Sequence, residues 1–240
     1  VPVDPSSVTV VIPTYNEREN LESVVTAVTR FGYRVLIVDD NSPDGTGNVA
    51  DGLASTSELV RVLHRTTKQG LGSAYAEGFQ QGMDAGADIL CEMDADFSHD
   101  PAALPLLMDA IERGADLAIG SRYVDGGSTP DWPLHRRVLS KGANAYAKLM
   151  LRLPVKDATA GFRAFRTEAL TRLHPETCLA AGYAFQVEMA WRAVREGLRI
   201  HEVPITFRDR AAGKSKMGLP VVLEAMWLVT KWGVTRREQR

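Results

Sequence analysis

Five short runs of aliphatic and β-branched residues recur through the first 125 positions, each followed by a stretch with helical spacing. The runs are Val8–Ile12, Arg34–Asp39, Leu59–Leu63, Ile89–Met93 and Leu117–Gly120. The helical patterns between them cover about Glu17–Arg30, a segment through Val49–Leu53, Gly72–Met83 and Pro101–Arg113. Runs that are apolar on both faces must be covered on both faces, which is the situation of a parallel sheet between layers of helices. Right-handed crossovers then distribute the helices over the two sides. The expected fold is therefore α/β, Rossmann-like, with a mostly parallel sheet and helices on both faces.

The second half is less regular. Leu134–Leu151 reads as a helix, Arg163–Arg166 as a short strand and Tyr183–Arg195 as a helix. Ile200–Phe207 alternates as a strand, and Pro204 marks it as an edge because proline cannot donate to a ladder. Arg208–Met217 is a polar loop and Leu219–Val234 a final helix. No repeat or linker interrupts the chain, so one domain over residues 1–240 is expected, with halves of about 1–125 and 126–240. The apolar share of 45% excludes a disordered chain. Cys91 and Cys178 are too few for a disulfide framework or a zinc site and read as small buried hydrophobes. No apolar stretch reaches 18 residues and the start resembles no signal peptide, so an intracellular, cytoplasmic location is expected.

The net charge of −2 hides an asymmetry. Residues 1–133 carry 21 acidic and 8 basic side chains, and residues 134–240 carry 9 and 20. Such a split suggests that one half handles cations and the other anions. The basic half lacks clustered aromatics and any nucleic-acid-binding module, so no nucleic-acid partner is expected.

Ligands of a parallel α/β sheet bind at the carboxyl ends of its strands. Four of those ends are polar: Pro13-Thr14-Tyr15-Asn16-Glu17, Asp39-Asp40-Asn41-Ser42, Asp94-Ala95-Asp96-Phe97-Ser98-His99 and Gly120-Ser121-Arg122-Tyr123. Asp94 and Asp96 are two residues apart in an extended segment, so they point the same way and repel unless a cation lies between them. Mg²⁺ or Mn²⁺ suits such oxygen ligands. Asp100 before Pro101 already fits the cap of the next helix, which leaves Asp94 and Asp96 for another task.

These segments resemble a known family. VVIPTYNE (10–17), VDDNSPDGT (38–46), MDADFSHDP (93–101) and GSRY (120–123) are similar to the inverting GT-A glycosyltransferases. DATAGFR (157–163), WPLHRRVLSKG (132–142) and DRAAGKSK (209–216) narrow the resemblance to dolichol- and polyprenol-phosphate mannose synthases, over nearly the whole chain. The resemblance implies inverting transfer of mannose from GDP-mannose to a polyprenyl monophosphate, with Mg²⁺ or Mn²⁺ as cofactor. It implies that Pro13, Tyr15, Glu17, Val38, Asp40 and the backbone of Ala95 line the nucleotide pocket. Asp94, Asp96 and Ser98 would hold the metal, Ser98 standing where relatives often carry Gln. Arg210 and Lys216 would lie on a loop over the diphosphate. Arg122, Arg136 and Ser140 would receive the acceptor phosphate, with Asp96, Arg122 and Arg136 as the catalytic set. The alternatives are a UDP-glucose-dependent polyprenyl-phosphate glucosyltransferase, a transferase to a sugar hydroxyl and a non-enzymatic nucleotide-sugar sensor.

Charge arguments agree with these roles. A diphosphate leaving group gains negative charge as the glycosidic bond breaks, and a cation with basic side chains stabilises it. A phosphate monoester is mostly dianionic at neutral pH, so it is already a nucleophile and needs positioning rather than a general base. Glu188 falls near where hydroxyl-accepting relatives often carry a catalytic Asp; it reads as a polar helix residue facing the cleft, with a direct role as the alternative. His99 reads as a loop donor, Gly70-Leu71-Gly72 as helix entry and close packing, and Lys68 as a solvated side chain. Leu219–Val234 sets Val222, Leu223, Met226, Trp227 and Thr230 near one face with Trp232 adjacent, followed by Arg236, Arg237 and Arg240. That pattern fits either an interfacial helix on the cytoplasmic face of a membrane or a helix packed on the domain. The start at Val1 leaves room for a membrane domain, fused or separate, as a partner.

Overall fold

The structure, a computed structural model, describes residues 2–180, 182, 184–209 and 219–238. Its centre is a seven-stranded sheet. The strands are β1 (Val8–Thr14), β2 (Arg34–Asp39), β3 (Val60–His64), β4 (Ile89–Glu92), β5 (Leu117–Ser121), β6 (Arg163–Arg166) and β7 (Ile200–Pro204), in the order β3-β2-β1-β4-β6-β5-β7. β6 runs antiparallel to both its neighbours, and the remaining pairs are parallel. The expected mostly parallel sheet is present, with β7 at the edge that Pro204 marked. Sequence order hides one feature: β6 inserts between β4 and β5, and its register sets Arg163 opposite Glu92.

Helices α1 (Leu21–Thr29), α2 (Thr46–Thr56), α3 (Leu71–Asp84), α4 (Leu104–Glu112), α5 (Leu134–Leu151), α6 (Thr167–Leu173), α7 (Ala184–Arg195) and α8 (Leu219–Glu238) complete the described fold. α1 starts later than its apolar spacing suggests, because Glu17 O first accepts turn bonds from Asn20 and Leu21. The short α6 has too few residues to show a period and is not legible in the sequence.

Strand alternation divides the core. Val10, Ile12, Val35 and Ile37 point to one side and pack with Val24 and Val28 of α1 and Leu104, Leu107 and Ile111 of α4. Val11, Leu36 and Val38 point to the other and join Tyr75 and Phe79 of α3, Leu170 of α6, Phe185 and Trp191 of α7 and Trp232 of α8. Tyr75 stacks on Phe79 and Phe185 at centroid separations of 5.8 and 6.2 Å, and Trp191 stacks on Trp232 at 5.4 Å. Cys91 is buried and Cys178 half-buried, both as free thiols.

α3 lies close on the sheet because it carries glycine where it crosses β1 and β2. A Cβ at Gly78 would stand 2.5 Å from Val11 Cγ1 and 3.0 Å from Val38 Cγ2. Valine in a strand centre has little rotamer freedom, so these contacts resist adjustment. Gly78→Ala should therefore lower stability by about 1–3 kcal/mol, against the gain that alanine gives an ordinary helix. A urea midpoint above the parent's would contradict this close approach.

Candidate active site

The carboxyl ends of β1, β2 and β4 meet the loops after β5 and before β6 in one cleft of about 380 Å³. On its first wall, Thr14 Oγ1 donates to Asp39 Oδ1 at 3.0 Å, and Ser42 Oγ donates to the same oxygen at 2.6 Å, which fixes the ends of β1 and β2 together. Pro13, Tyr15, Glu17 and Asp40 face the cleft from this wall. Asp40 is buried and takes a hydrogen bond from the equally buried Arg65, whose second nitrogen donates to Ser73 Oγ at 2.6 Å. Burial raises the pKa of Asp40, opposed by the charges of Arg65 and Lys68. Lys68 is not merely solvated: its ammonium stands 3.7 Å above the Tyr15 ring and lines the cleft.

The loop after β4 brings Asp94, Ala95, Asp96 and Ser98 to the cleft. Asp96 Oδ1 accepts from the Ser98 amide at 3.0 Å, and Phe97 between them takes a φ of 59°. Ser98 Oγ is buried with no hydrogen-bond partner. His99 accepts the Asp94 amide on Nδ1 at 3.2 Å and stacks on Phe162. It is thus an acceptor toward the loop rather than the expected donor, and burial lowers its pKa. Asp100 caps the following turn by accepting from the Ala102 amide, as its sequence context indicated.

Cations form the third wall. Arg122 donates from Nε and Nη2 to the two oxygens of Asp157, each at 2.7 Å, and from Nη2 to Thr159 Oγ1. Burial works to raise the Asp157 pKa, but this fork and the Arg122 amide hold it below the usual carboxylate range. Arg136, on α5, lies over the Trp132 ring at 4.1 Å and donates to Asp209 Oδ1 at 2.5 Å.

Ten of the residues expected in the site therefore share one cleft: Pro13, Tyr15, Glu17, Asp40, Asp94, Ala95, Asp96, Ser98, Arg122 and Arg136. Val38 does not; it is buried in the core against Gly78, since every second residue of β2 points to that face. Ser140 stands behind the wall, accepting from Tyr123 OH at 2.7 Å. Arg210 and Lys216 lie outside the described residues. Glu188 does not face the cleft either: it accepts the amides of Leu179 and Ala180 and the fork of Arg192. The α7 side chain that lines the cleft is Gln186, two residues earlier. Gly70 enters α3 with a φ of 102°, and a Cβ at Gly72 would meet Ala180 O at 2.7 Å, which bears out entry and packing.

Sequence reasoning missed Arg65, Trp132, Gln186 and Arg163. Arg163 is fully buried and donates to Ala160 O, Gln186 O and Ala158 O. An arginine at the head of an apolar strand was the available signal, because such a residue needs buried acceptors.

The family model of Glycosyl transferase family 2 matches residues 9–173. This chain belongs to glycosyl transferase family 2. It is 49% identical to a polyprenol monophosphomannose synthase of Mycolicibacterium smegmatis over 96% of this chain and 88% of that one. It is 48% identical to an undecaprenyl-phosphate mannosyltransferase of Micrococcus luteus over 95% and 94%. The glucosyl-3-phosphoglycerate synthase of Mycobacterium tuberculosis, solved with Mn²⁺, UDP-glucose and phosphoglyceric acid, shares the fold with a TM-score of 0.68. Its sequence identity is 21%, over 93% of this chain and 79% of that one.

In this family 2 glycosyltransferase the carboxylate pair and the arginine pair line a single cleft. Arg122 is held there by Asp157, which is fully buried. Asp157→Asn should lower stability at pH 7 by about 3–5 kcal/mol, because the Arg122 charge then loses its buried partner. A carboxyl held below its unfolded value stabilises above that value, 3.8, and its contribution fades as pH falls through the folded pKa. The deficit of the variant, read by guanidinium denaturation, should thus narrow between pH 7 and pH 3. An equal deficit at both values would show that the charge is irrelevant.

Proposed function

We propose that this glycosyltransferase moves mannose from GDP-mannose to the phosphate of a polyprenyl monophosphate, with inversion at the sugar carbon. The reading is carried by likeness across nearly the full chain to the two mannosyl-transferring relatives named above. The cleft supports it by pairing an acidic loop with a cationic wall.

Asp94, Asp96 and Ser98 would hold a divalent cation. The fit rests on the buried, unpartnered Ser98 Oγ beside two carboxylates. Among the described residues no third carboxylate, histidine or cysteine joins them, so diphosphate oxygens and water would complete the ligands. Such a cation neutralises charge that collects on the leaving diphosphate. Tyr15, Asp40 and Lys68 form the wall suited to the nucleoside, and Arg210 and Lys216, on sequence grounds, would cover the diphosphate. Arg136 and Arg122 position the acceptor phosphate. A dianion needs no base to activate it, and the His99 ring is already engaged with the Asp94 amide.

Because Arg122 is locked to Asp157, Arg136 is the cleaner test of acceptor binding. Arg136→Ala should raise the acceptor KM about ten- to a hundredfold through loss of a charge-assisted hydrogen bond, with GDP affinity nearly unchanged. Asp94→Ala and Asp96→Ala should each cut turnover by a factor on the order of a thousand. The deciding assay supplies Mn²⁺ or Mg²⁺, a polyprenyl phosphate and labelled GDP-mannose or UDP-glucose, and looks for labelled lipid. Label from UDP-glucose alone, or full activity in EDTA, would refute the reading.

A polyprenyl acceptor brings the enzyme to a membrane surface. Among the described residues no helix is long and apolar enough to cross a membrane. α8 packs on the domain through Leu228, Val229 and Trp232, so Trp232 belongs to the core and not to an outer face. Trp227 on α8 and Leu134 and Leu149 on α5 are 61%, 76% and 77% exposed. Lys141 lies along α5 between those leucines, while Arg137 is turned to the carbonyls of Thr129 and Pro130. We assign this surface to peripheral contact with an anionic bilayer. Trp227→Glu combined with Leu149→Glu should release the protein from vesicles containing phosphatidylglycerol, by co-sedimentation, while GDP binding persists. Unchanged sedimentation would place the contact elsewhere.

A further inference from the structure

Gln186 is 2% exposed and lines the cleft floor. Neither Oε1 nor Nε2 of its side chain has a hydrogen-bond partner. Glu92, fully buried behind it, lies near enough for the amide to lower a pKa that burial drives up, but no bond closes between them. The main-chain oxygen of Gln186 accepts from Arg163 at 2.9 Å, so the residue is held at its backbone while its side chain stays unsatisfied. A Cβ at Gly161 would stand 3.7 Å from Gln186 Nε2 and 3.6 Å from the His99 ring, which places the three side by side. His99 in turn holds the Asp94 amide. The Gln186 amide therefore sits one side chain away from the carboxylate loop, in a cleft that Thr159 and Arg122 also line.

Buried polar groups without partners cost free energy and are retained where a ligand completes them. An amide offers an acceptor and a donor side by side, which complements two neighbouring hydroxyls, each able to give and take a hydrogen bond. A phosphate only accepts and would leave Oε1 unsatisfied. Tyr15 follows β1, and β4 with its carboxylate loop lies between β1 and β6 in the sheet. Between a diphosphate at Asp94 and Asp96 and an acceptor phosphate at Arg136, the group that remains to be held is the sugar in transit. We propose that Gln186 is a specificity-determining residue that reads adjacent hydroxyls of the transferred hexose. This deepens the mannosyl-transfer reading of the cleft and rests on it.

The test compares wild type, Gln186→Leu and Gln186→Asn. Measured are kcat/KM for GDP-mannose and for GDP-glucose, which differs at one hydroxyl, GDP affinity by calorimetry with Mn²⁺, and the urea midpoint. A site built to hydrogen-bond a hydroxyl loses strongly when the pairing is removed. Gln186→Leu should lower kcat/KM for GDP-mannose by about a hundredfold or more and flatten the preference over GDP-glucose to within about threefold. Its GDP affinity and urea midpoint should stay at or above the parent values, because an apolar group of similar volume replaces unsatisfied atoms. Gln186→Asn, which keeps the amide but shortens its reach, should retain the fold and lose donor preference in part. An unchanged donor preference in both variants, or a fall in midpoint that accounts for the lost activity, would overturn the proposal. Should wild type use UDP-glucose and not GDP-mannose, the donor assignment above fails. Gln186 is then judged by the same criteria on UDP-glucose against UDP-galactose.

Discussion

The geometry of the cleft depends on one guanidinium that never meets water. Arg163 opens β6 in the middle of the sheet, opposite Glu92, and donates to the carbonyls of Ala158, Ala160 and Gln186. A buried cation is tolerable only when its donors are satisfied and a counter-charge is near. Here the acceptors come from the loop before β6 and from the first turn of α7, so satisfying Arg163 pins both. That loop carries Asp157 and Thr159, which clamp Arg122, and α7 carries Gln186. The cationic wall and the cleft floor are thus consequences of one buried charge finding its partners.

The charge asymmetry of the chain carries over only in part into the same cleft. The acidic half contributes Asp40, Asp94 and Asp96 together with Lys68 and Arg122, and the basic half contributes Arg136. The cations are already paired: Arg122 with Asp157, Arg136 with Asp209 and Arg65 with Asp40. Paired cations are fixed in direction before substrate arrives, and a preorganised dipole stabilises developing charge without reorganising. The same pairing prevents the mutual repulsion that bare arginines would suffer in so small a volume. Two titratable residues of this region have structural duties. Glu188 caps two amides and an arginine, and His99 secures the carboxylate loop.

Much of this was legible in the residue order. Continuous apolar runs separated by helical spacing point to a covered parallel sheet, because strands that are apolar on both faces need a helical layer on each side. Polar strand ends then specify the edge at which a ligand sits, which is why Tyr15, Asp40, Asp94, Asp96 and Arg122 converge as expected. Local chemistry was equally readable in the Asp100 cap and in the edge strand bearing Pro204. Tertiary structure decided what depends on contacts distant in sequence. Val38 belongs to the core because the sheet's face at that position is covered by α3. The turn of α7 around the Arg163 anchor brings Gln186 to the cleft and turns Glu188 away, although the two are only two residues apart. β6 inserts between β4 and β5, placing Arg163 against Glu92 from 71 positions along the chain. No periodicity records such a pairing, since what selects it is the burial of a charge that only the assembled sheet can satisfy.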